Sequence, residues 1–132
     1  MTECRTVGVS IKRDPDQVYE YLADPRSFPQ WSVFILELVS DGNEWIAQTP
    51  TGTVRIRFTP KNEFRVLDHD VTSASGLRVH VAMRVIPNQD DGSEVIFTVV
   101  RLPGMSTQEY EEDVRMVLTD LAALKRLLEH KT

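Results

Sequence analysis

The stretch IKRDPDQVYEYLADPRSFPQWS, residues 11–32, contains two helix starts in quick succession. Asp14 can cap free N–H groups, and Pro15 suits the first helical position because its φ is preset and its missing N–H costs nothing there. Val18, Tyr19 and Leu22 then fall on one face of a short helix. Asp24-Pro25 repeats the signal and predicts a second, very short helix ending around Pro29-Gln30-Trp31.

Outward from this pair the chain is β-rich. Residues 3–11 (ECRTVGVSI) place Arg5, Val7, Val9 and Ile11 on one parity and read as a first strand. Downstream, candidate strands span 33–40, 44–49, 53–59, 63–71, 77–87 and 93–102. Turn chemistry separates them, including Asp41-Gly42-Asn43, Pro50-Thr51-Gly52 and Pro60-Lys61-Asn62. Connections this short force antiparallel neighbours, so the block is a meander. One long helix follows, from Ser106 to Glu129. Ser106 and Glu109 fit a capping box, and Tyr110, Val114, Val117, Leu121, Leu124 and Leu128 draw a single apolar stripe.

Parity assigns the inner face of each strand. Val54, Ile56 and Phe58 oppose Arg55 and Arg57, while Leu77, Val79, Val81, Met83 and Val85 oppose Arg78, His80 and Arg84. In 63–71, burying Asp68 and Asp70 would cost far more than burying a neutral imidazole, so Leu67, His69 and Val71 point in. The outer face then carries plus, minus and plus on consecutive strands, a charge ladder that favours this register. Strand 93–102 admits two parities: Val95, Phe97 and Val99 share one, ending in Arg101, and Ile96, Val100 and Leu102 share the other with Glu94 and Thr98. The first set is favoured inward because it leaves Glu94 in water, and Arg101 then aims inside. Phe34, Leu36 and Leu38 are taken inward because Glu37 should face out. Val33, Ile35 and Val39 then form an outer apolar patch, joined by Ile96 and Val100 if those strands are near, which would suit a homodimer through the outer sheet face.

The order of elements and the wording of residues 11–32 resemble the START-like (SRPBCC) superfamily of polyketide cyclase/dehydrase and lipid-transport proteins. The resemblance rests on Pro15, Val18, Tyr19, Leu22, Asp24, Phe28, Trp31 and the helix from Ser106 to Glu129, and it covers essentially the whole chain as a single domain, 1–132. It implies an α+β helix-grip fold: a curved seven-stranded antiparallel sheet wrapped around a long C-terminal helix, with two short helices between the first strands. It also implies a cavity between sheet and helix for an apolar or amphipathic ligand. The superfamily has no universal catalytic motif, so no catalytic residue carries over by position.

The 132 residues carry 15 basic and 20 acidic side chains, a formal charge of −5, which argues against a nucleic-acid binder working by charge. No apolar run is long enough for a transmembrane segment. The N-terminal MTECRTVGVS carries no signal-peptide core, and the single cysteine, Cys4, has no internal partner; both fit a cytoplasmic protein. No metal site is expected, because Asp68, His69 and Asp70 alternate faces and cannot close on one ion. Dinucleotide, phosphate-loop and nucleophile-elbow patterns are missing from the sequence, and no cofactor is expected.

The expected ligand-binding walls are Phe58, Leu67, His69, Met83 and Phe97, with Met105 and Tyr110 at the start of the long helix, Arg101 inside the sheet's end and Trp31 near the mouth. His69 could hold a ligand oxygen or move a proton, or it could be a neutral core histidine bonded to a backbone carbonyl. Arg101 could orient a ligand or reach solvent, and Tyr110 could donate its hydroxyl to a ligand or simply pack. These three are the catalytic candidates if the protein is an enzyme. The leading expectation is binding of a small hydrophobic or aromatic molecule. Polyketide cyclase/dehydratase-like chemistry and a closed-core protein-interaction module are the alternatives.

Overall fold

A computed structural model describes residues 1–130. Strand β1 (Cys4–Ile11) leads into helix α1 (Pro15–Ala23) and a short 3-10 helix (Pro25–Gln30), then strands β2 (Glu37–Asp41), β3 (Glu44–Thr49), β4 (Gly52–Phe58), β5 (His69–Ser73), β6 (Arg78–Asn88) and β7 (Gly92–Val100), and helix α2 (Thr107–Glu129). The strands form one antiparallel sheet in the order β1-β7-β6-β5-β4-β3-β2. This is the helix-grip arrangement.

The helix starts form as their residues dictate. The Asp14 carboxylate accepts the Asp16 and Gln17 N–H groups at 3.0 and 3.2 Å, and Asp24 accepts the Arg26 N–H at 3.0 Å. At α2, Ser106 and Glu109 close the capping box, with bonds of 3.1 and 2.9 Å. The α2 stripe buries Tyr110, Val114, Leu121, Leu124 and Leu128.

Helix α2 is clamped along β1 at both ends. Near its C-terminus, Lys125 Nζ donates to the Ser10 carbonyl at 2.6 Å and the Lys12 N–H donates to Glu129 at 2.9 Å. Near its N-terminus, Arg5 pairs with Glu111 and lies over the Tyr110 ring, 5.0 Å from its centroid. The other flank of α2, carrying Asp113, Met116 and Asp120, is left to face the middle of the sheet across a cavity. Two fixed ends on one edge strand make that geometry.

Inner-face parity holds through the centre of the sheet. Phe58 pairs with His69, His69 with Val81, Ile56 with Val71, Met83 with Phe97 and Val85 with Val95. The outer charge ladder is also present: Arg57 lies opposite Asp70, and Asp70 opposite His80, whose Nδ1 is 2.8 Å from the Asp70 carboxylate.

Five expectations need correction. First, residues 33–36 are not strand. The Val33 N–H donates to Asp120 at 3.1 Å, and the chain joins the ladder only at Leu36, whose N–H donates to the Gln48 carbonyl. Alternation counted back from Leu38 therefore fails: Ile35 is buried and Leu36 is 62% exposed.

Second, β5 begins only at His69, because residues 60–68 form a loop stitched by Asn62. Its Oδ1 accepts the Phe64 and Val66 N–H groups, and its Nδ2 donates to the Pro60 and Val66 carbonyls. Arg65 sits there at φ 57°, a left-handed conformation that strains a non-glycine residue. Asp68 is consequently covered, accepting the Met83 N–H and the Arg84 guanidinium at 3.0 and 3.2 Å.

Third, β7 ends at Val100, so Arg101 escapes the sheet's alternation. Fourth, the outer apolar patch is split. Val33 and Val39 lie at the β2 edge, whereas Ile96 belongs to β7, with four strands between them. Fifth, Leu77, expected inward, is exposed at the β5–β6 turn.

Candidate functional site

The cavity between α2 and the sheet has a volume of about 280 Å³. Phe28, Trp31, Phe34 and Ile35 wall it from the segment after α1. Ile56, His69, Val71, Val79, Val81 and Phe97 wall it from the sheet, and Asp113, Met116, Val117, Asp120 and Leu121 from α2. The inward parity of β4 to β7 supplies the apolar surface, and the early turn of the chain at residues 31–35 lays Trp31 and Ile35 across one end.

Trp31, Phe28, Phe58 and His69 form a run of ring contacts. Phe28 stands 4.9 Å from Trp31, 5.3 Å from Phe58 and 5.9 Å edge-on from His69, and Phe58 lies 5.2 Å from His69. The imidazole is buried, and its Nδ1 lies 3.0 Å from the Leu67 carbonyl oxygen. A carbonyl only accepts, so Nδ1 carries the proton. Burial lowers the His69 pKa despite that bond, keeping the ring neutral near pH 7. Nε2 is then an unprotonated acceptor, and it has no partner among the described residues. The two readings of His69 are therefore compatible: one nitrogen anchors to the backbone and the other is left for the cavity.

The α2 wall carries two carboxylates. Asp120, 7% exposed, accepts the Ser32 hydroxyl and the Val33 N–H, each at 3.1 Å. Burial is the largest influence on it and raises its pKa; those two bonds oppose the rise. Asp113 is half-buried, and its pKa is raised by desolvation and by Glu109 and Glu112. Neither residue was singled out from the sequence. A signal existed: the pair is spaced i, i+7 on the border of the apolar stripe, where an aspartate must either reach water or find partners. No lysine or arginine lines the cavity among the described residues.

Of the nine expected site residues, Trp31, His69 and Phe97 line the cavity. Phe58 supports His69 from behind its ring. Leu67 and Met83 are buried in the core, with Leu67 contributing its carbonyl to His69. Met105 packs against a second cluster formed by Val99, Tyr110 and Val114.

Tyr110 is fully buried and its hydroxyl donates to the Val99 carbonyl at 2.7 Å, so it is a staple between α2 and β7 and does not reach the cavity. Arg101 turns away as well. Its Nε donates to the Met105 carbonyl at 3.2 Å and its guanidinium lies 3.6 Å from Glu3. Neither side chain lines the cavity, although Val99, Val100 and Leu102 beside Arg101 do. No metal-binding group of three or more His, Cys, Asp or Glu side chains occurs among the described residues.

The family of polyketide cyclase/dehydrase and lipid transport proteins matches residues 4–129. The chain belongs to that family. Among solved structures, XoxI from Bacillus cereus is 18% identical with a TM-score of 0.78, covering 99% of this chain and 100% of that one. A START superfamily protein from Mycobacterium smegmatis is 14% identical with a TM-score of 0.68, covering 95% of this chain and 98% of its own. The di-domain ARO/CYC protein BexL of the BE-7585A biosynthetic pathway is 16% identical with a TM-score of 0.70, covering 96% of this chain but 46% of BexL. These likenesses establish the fold shared with START-like members of the family. No curated protein matched the chain. No helix among the described residues is long and apolar enough to cross a membrane.

Proposed function

We propose that this single START-like domain binds a small hydrophobic or aromatic molecule in the cavity between α2 and the sheet. The observation that carries the reading is the cavity itself: about 280 Å³, walled by aromatic and aliphatic side chains with a few polar groups. Small-molecule sites have this composition, and the volume lies just below their usual range of roughly 300–1,000 Å³. A ligand of one or two rings suits it better than a long acyl chain or an extended ring system. The open volume also speaks against a closed-core interaction module. Exposed, unpaired Cys4 supports a reducing, cytoplasmic location.

A second reading, cyclase- or dehydratase-like catalysis on an aromatic or polyketide-type substrate, draws on one feature. His69 Nε2 is an unpartnered base inside an apolar site, placed to take a proton from a bound enol or phenol. Arg101 and Tyr110 take no part in this version, since both are bonded elsewhere.

Two measurements test the binding reading. A native mass spectrum of freshly purified protein should show a retained small molecule or accept an added one at one per chain. With Trp45→Phe removing the background emitter, added 2-naphthol should quench Trp31 emission saturably. Purely collisional quenching, together with an empty native spectrum, would remove the reading.

A further inference from the structure

The polar side chains of the cavity wall leave it chiefly acceptors, because its hydroxyls and outer-face histidine are engaged elsewhere. Ser32 donates to Asp120, the Thr98 hydroxyl pairs with Thr6, and the His80 ring lies against Asp70 and Asp68. His69 has its one imidazole proton committed to the Leu67 carbonyl, so Nε2 presents a lone pair. Asp113 and Asp120 add carboxylates from α2, and no lysine or arginine balances them on the wall. Two arginines at the N-terminal end of α2 are engaged outside: Arg101 with Met105 and Glu3, and Arg5 with Glu111. The Trp31 Nε1–H is an unpaired donor, but it is sealed by its neighbours. A ligand entering this site meets groups that can receive a hydrogen bond and almost none that can give one.

That asymmetry has consequences for chemistry. A carbonyl or ether oxygen placed against His69 Nε2 sets two lone pairs against each other, and both are left unsatisfied in an apolar enclosure. A carboxylate fares worse, because it loses hydration and finds like charge on the helix wall. A hydroxyl on an aromatic ring or enol satisfies Nε2 and leaves the rest of the ligand to the aromatic walls. The surrounding Phe28, Phe58 and Leu67 hold the imidazole in place, so the acceptor is preorganised.

We propose that the cavity selects small neutral aromatics bearing a hydroxyl, phenols or enols, by accepting the ligand O–H at His69 Nε2, and that it turns away acceptor-only ligands and carboxylates. The selection rests on the binding reading above and adds to it the hydrogen-bond polarity of the ligand. It excludes fatty acids and aromatic acids.

Four probes of one ring system separate the two claims: naphthalene, 2-naphthol, 2-methoxynaphthalene and 2-naphthoate, measured by equilibrium dialysis at neutral pH. 2-Naphthol should bind at least about tenfold tighter than 2-methoxynaphthalene, as one satisfied buried hydrogen bond implies, and 2-naphthoate should bind weakest. His69→Leu should erase the naphthol preference while leaving naphthalene binding unchanged. Should that variant fail to fold, ¹⁵N NMR of the wild-type imidazole decides. Its Nδ1 should be protonated and its Nε2 unprotonated, and the Nε2 resonance should move with 2-naphthol but not with 2-methoxynaphthalene. Binding of all four without preference, or an Nε2-protonated ring, overturns the selection and leaves the cavity reading standing. Binding of none of them removes the cavity reading, and the selection falls with it.

Discussion

Asp120 on α2 accepts the hydroxyl of Ser32 at 3.1 Å, and its second oxygen takes the Val33 N–H at the same distance. This one side chain ties the helix to the segment that lays Trp31 and Ile35 across the cavity. It also explains why residues 33–36 leave the strand pattern, since the Val33 amide is spent on a side chain instead of a neighbouring strand.

Because burial raises its pKa, Asp120 binds a proton more readily in the folded than in the unfolded chain. Its charge therefore disfavours folding at neutral pH, by an increment that disappears as pH falls through the folded pKa towards the unfolded value of about 3.9. Asp120→Asn keeps the acceptor for Val33 and removes the charge. Denaturation midpoints should show Asp120→Asn as stable as wild type or more so at pH 7, with the difference shrinking on acidification. Asp120→Ala leaves two donors without a partner and should lose roughly 1–3 kcal/mol. If Asp120→Asn is as destabilising as Asp120→Ala at pH 7, the charge itself is required and the linkage is wrong.

Leu121 sits one residue on, 1% exposed and central to the α2 stripe. Leu121→Ala should destabilise the protein by roughly 2–5 kcal/mol in chemical denaturation, as truncation at a buried interface does. A midpoint equal to wild type would mean that this face of α2 is not held by packing.

The sheet and α2 were legible in the sequence because period-2 and i, i+3, i+4 patterns report which face is buried, and β4, β6 and α2 keep strict patterns. Strand β7 carries apolar residues on both parities, and only Glu94 chose between them. Legibility stopped where a side chain replaced a backbone partner. Asn62 organises the loop before β5, and Asp120 captures Val33; no periodicity encodes either bond. His69 was readable through the price of burying its neighbours Asp68 and Asp70. Arg101 was not, because parity extrapolated past Val100 describes a strand that has already ended. Tyr110 belonged to the right stripe, but a stripe does not say whether its hydroxyl meets a ligand or the Val99 carbonyl.

His80 offers a pH test of the outer face. Its pKa is raised, chiefly by the hydrogen bond to Asp70, with Asp68 adding to it. Arg78, Arg84 and Arg57 share that face, and Arg78 and Arg84 also pair with the two aspartates. A histidine with a raised folded pKa adds stability that is complete below its unfolded value of about 6.5 and is lost as pH rises through the folded value. Wild type should therefore lose a little stability between pH 6 and pH 8 that His80→Gln does not lose, and the effect should shrink in salt because the ring is largely exposed. Proton NMR should place the His80 titration above that of His69, and Asp70→Asn should bring it down. A His80 titration unmoved by Asp70→Asn would show that the Asp70 contact is not made in solution.

Tyr110→Phe separates a structural hydroxyl from a ligand-binding one. The ring is fully buried beneath Arg5, and its hydroxyl already donates to the Val99 carbonyl at 2.7 Å. Removing the oxygen keeps the packing and deletes one bond between α2 and β7, so stability should fall by roughly 0.5–1.5 kcal/mol. Binding of 2-naphthol should be unchanged, since Tyr110 does not line the cavity. Arg101→Ala should likewise leave binding unchanged, because its guanidinium is turned to Glu3 and Met105. His69→Leu is the contrasting variant, with the hydroxyl preference lost. If Tyr110→Phe or Arg101→Ala weakens 2-naphthol as much as His69→Leu does, the ligand reaches the α2 N-terminus, and the site must be redrawn to include both.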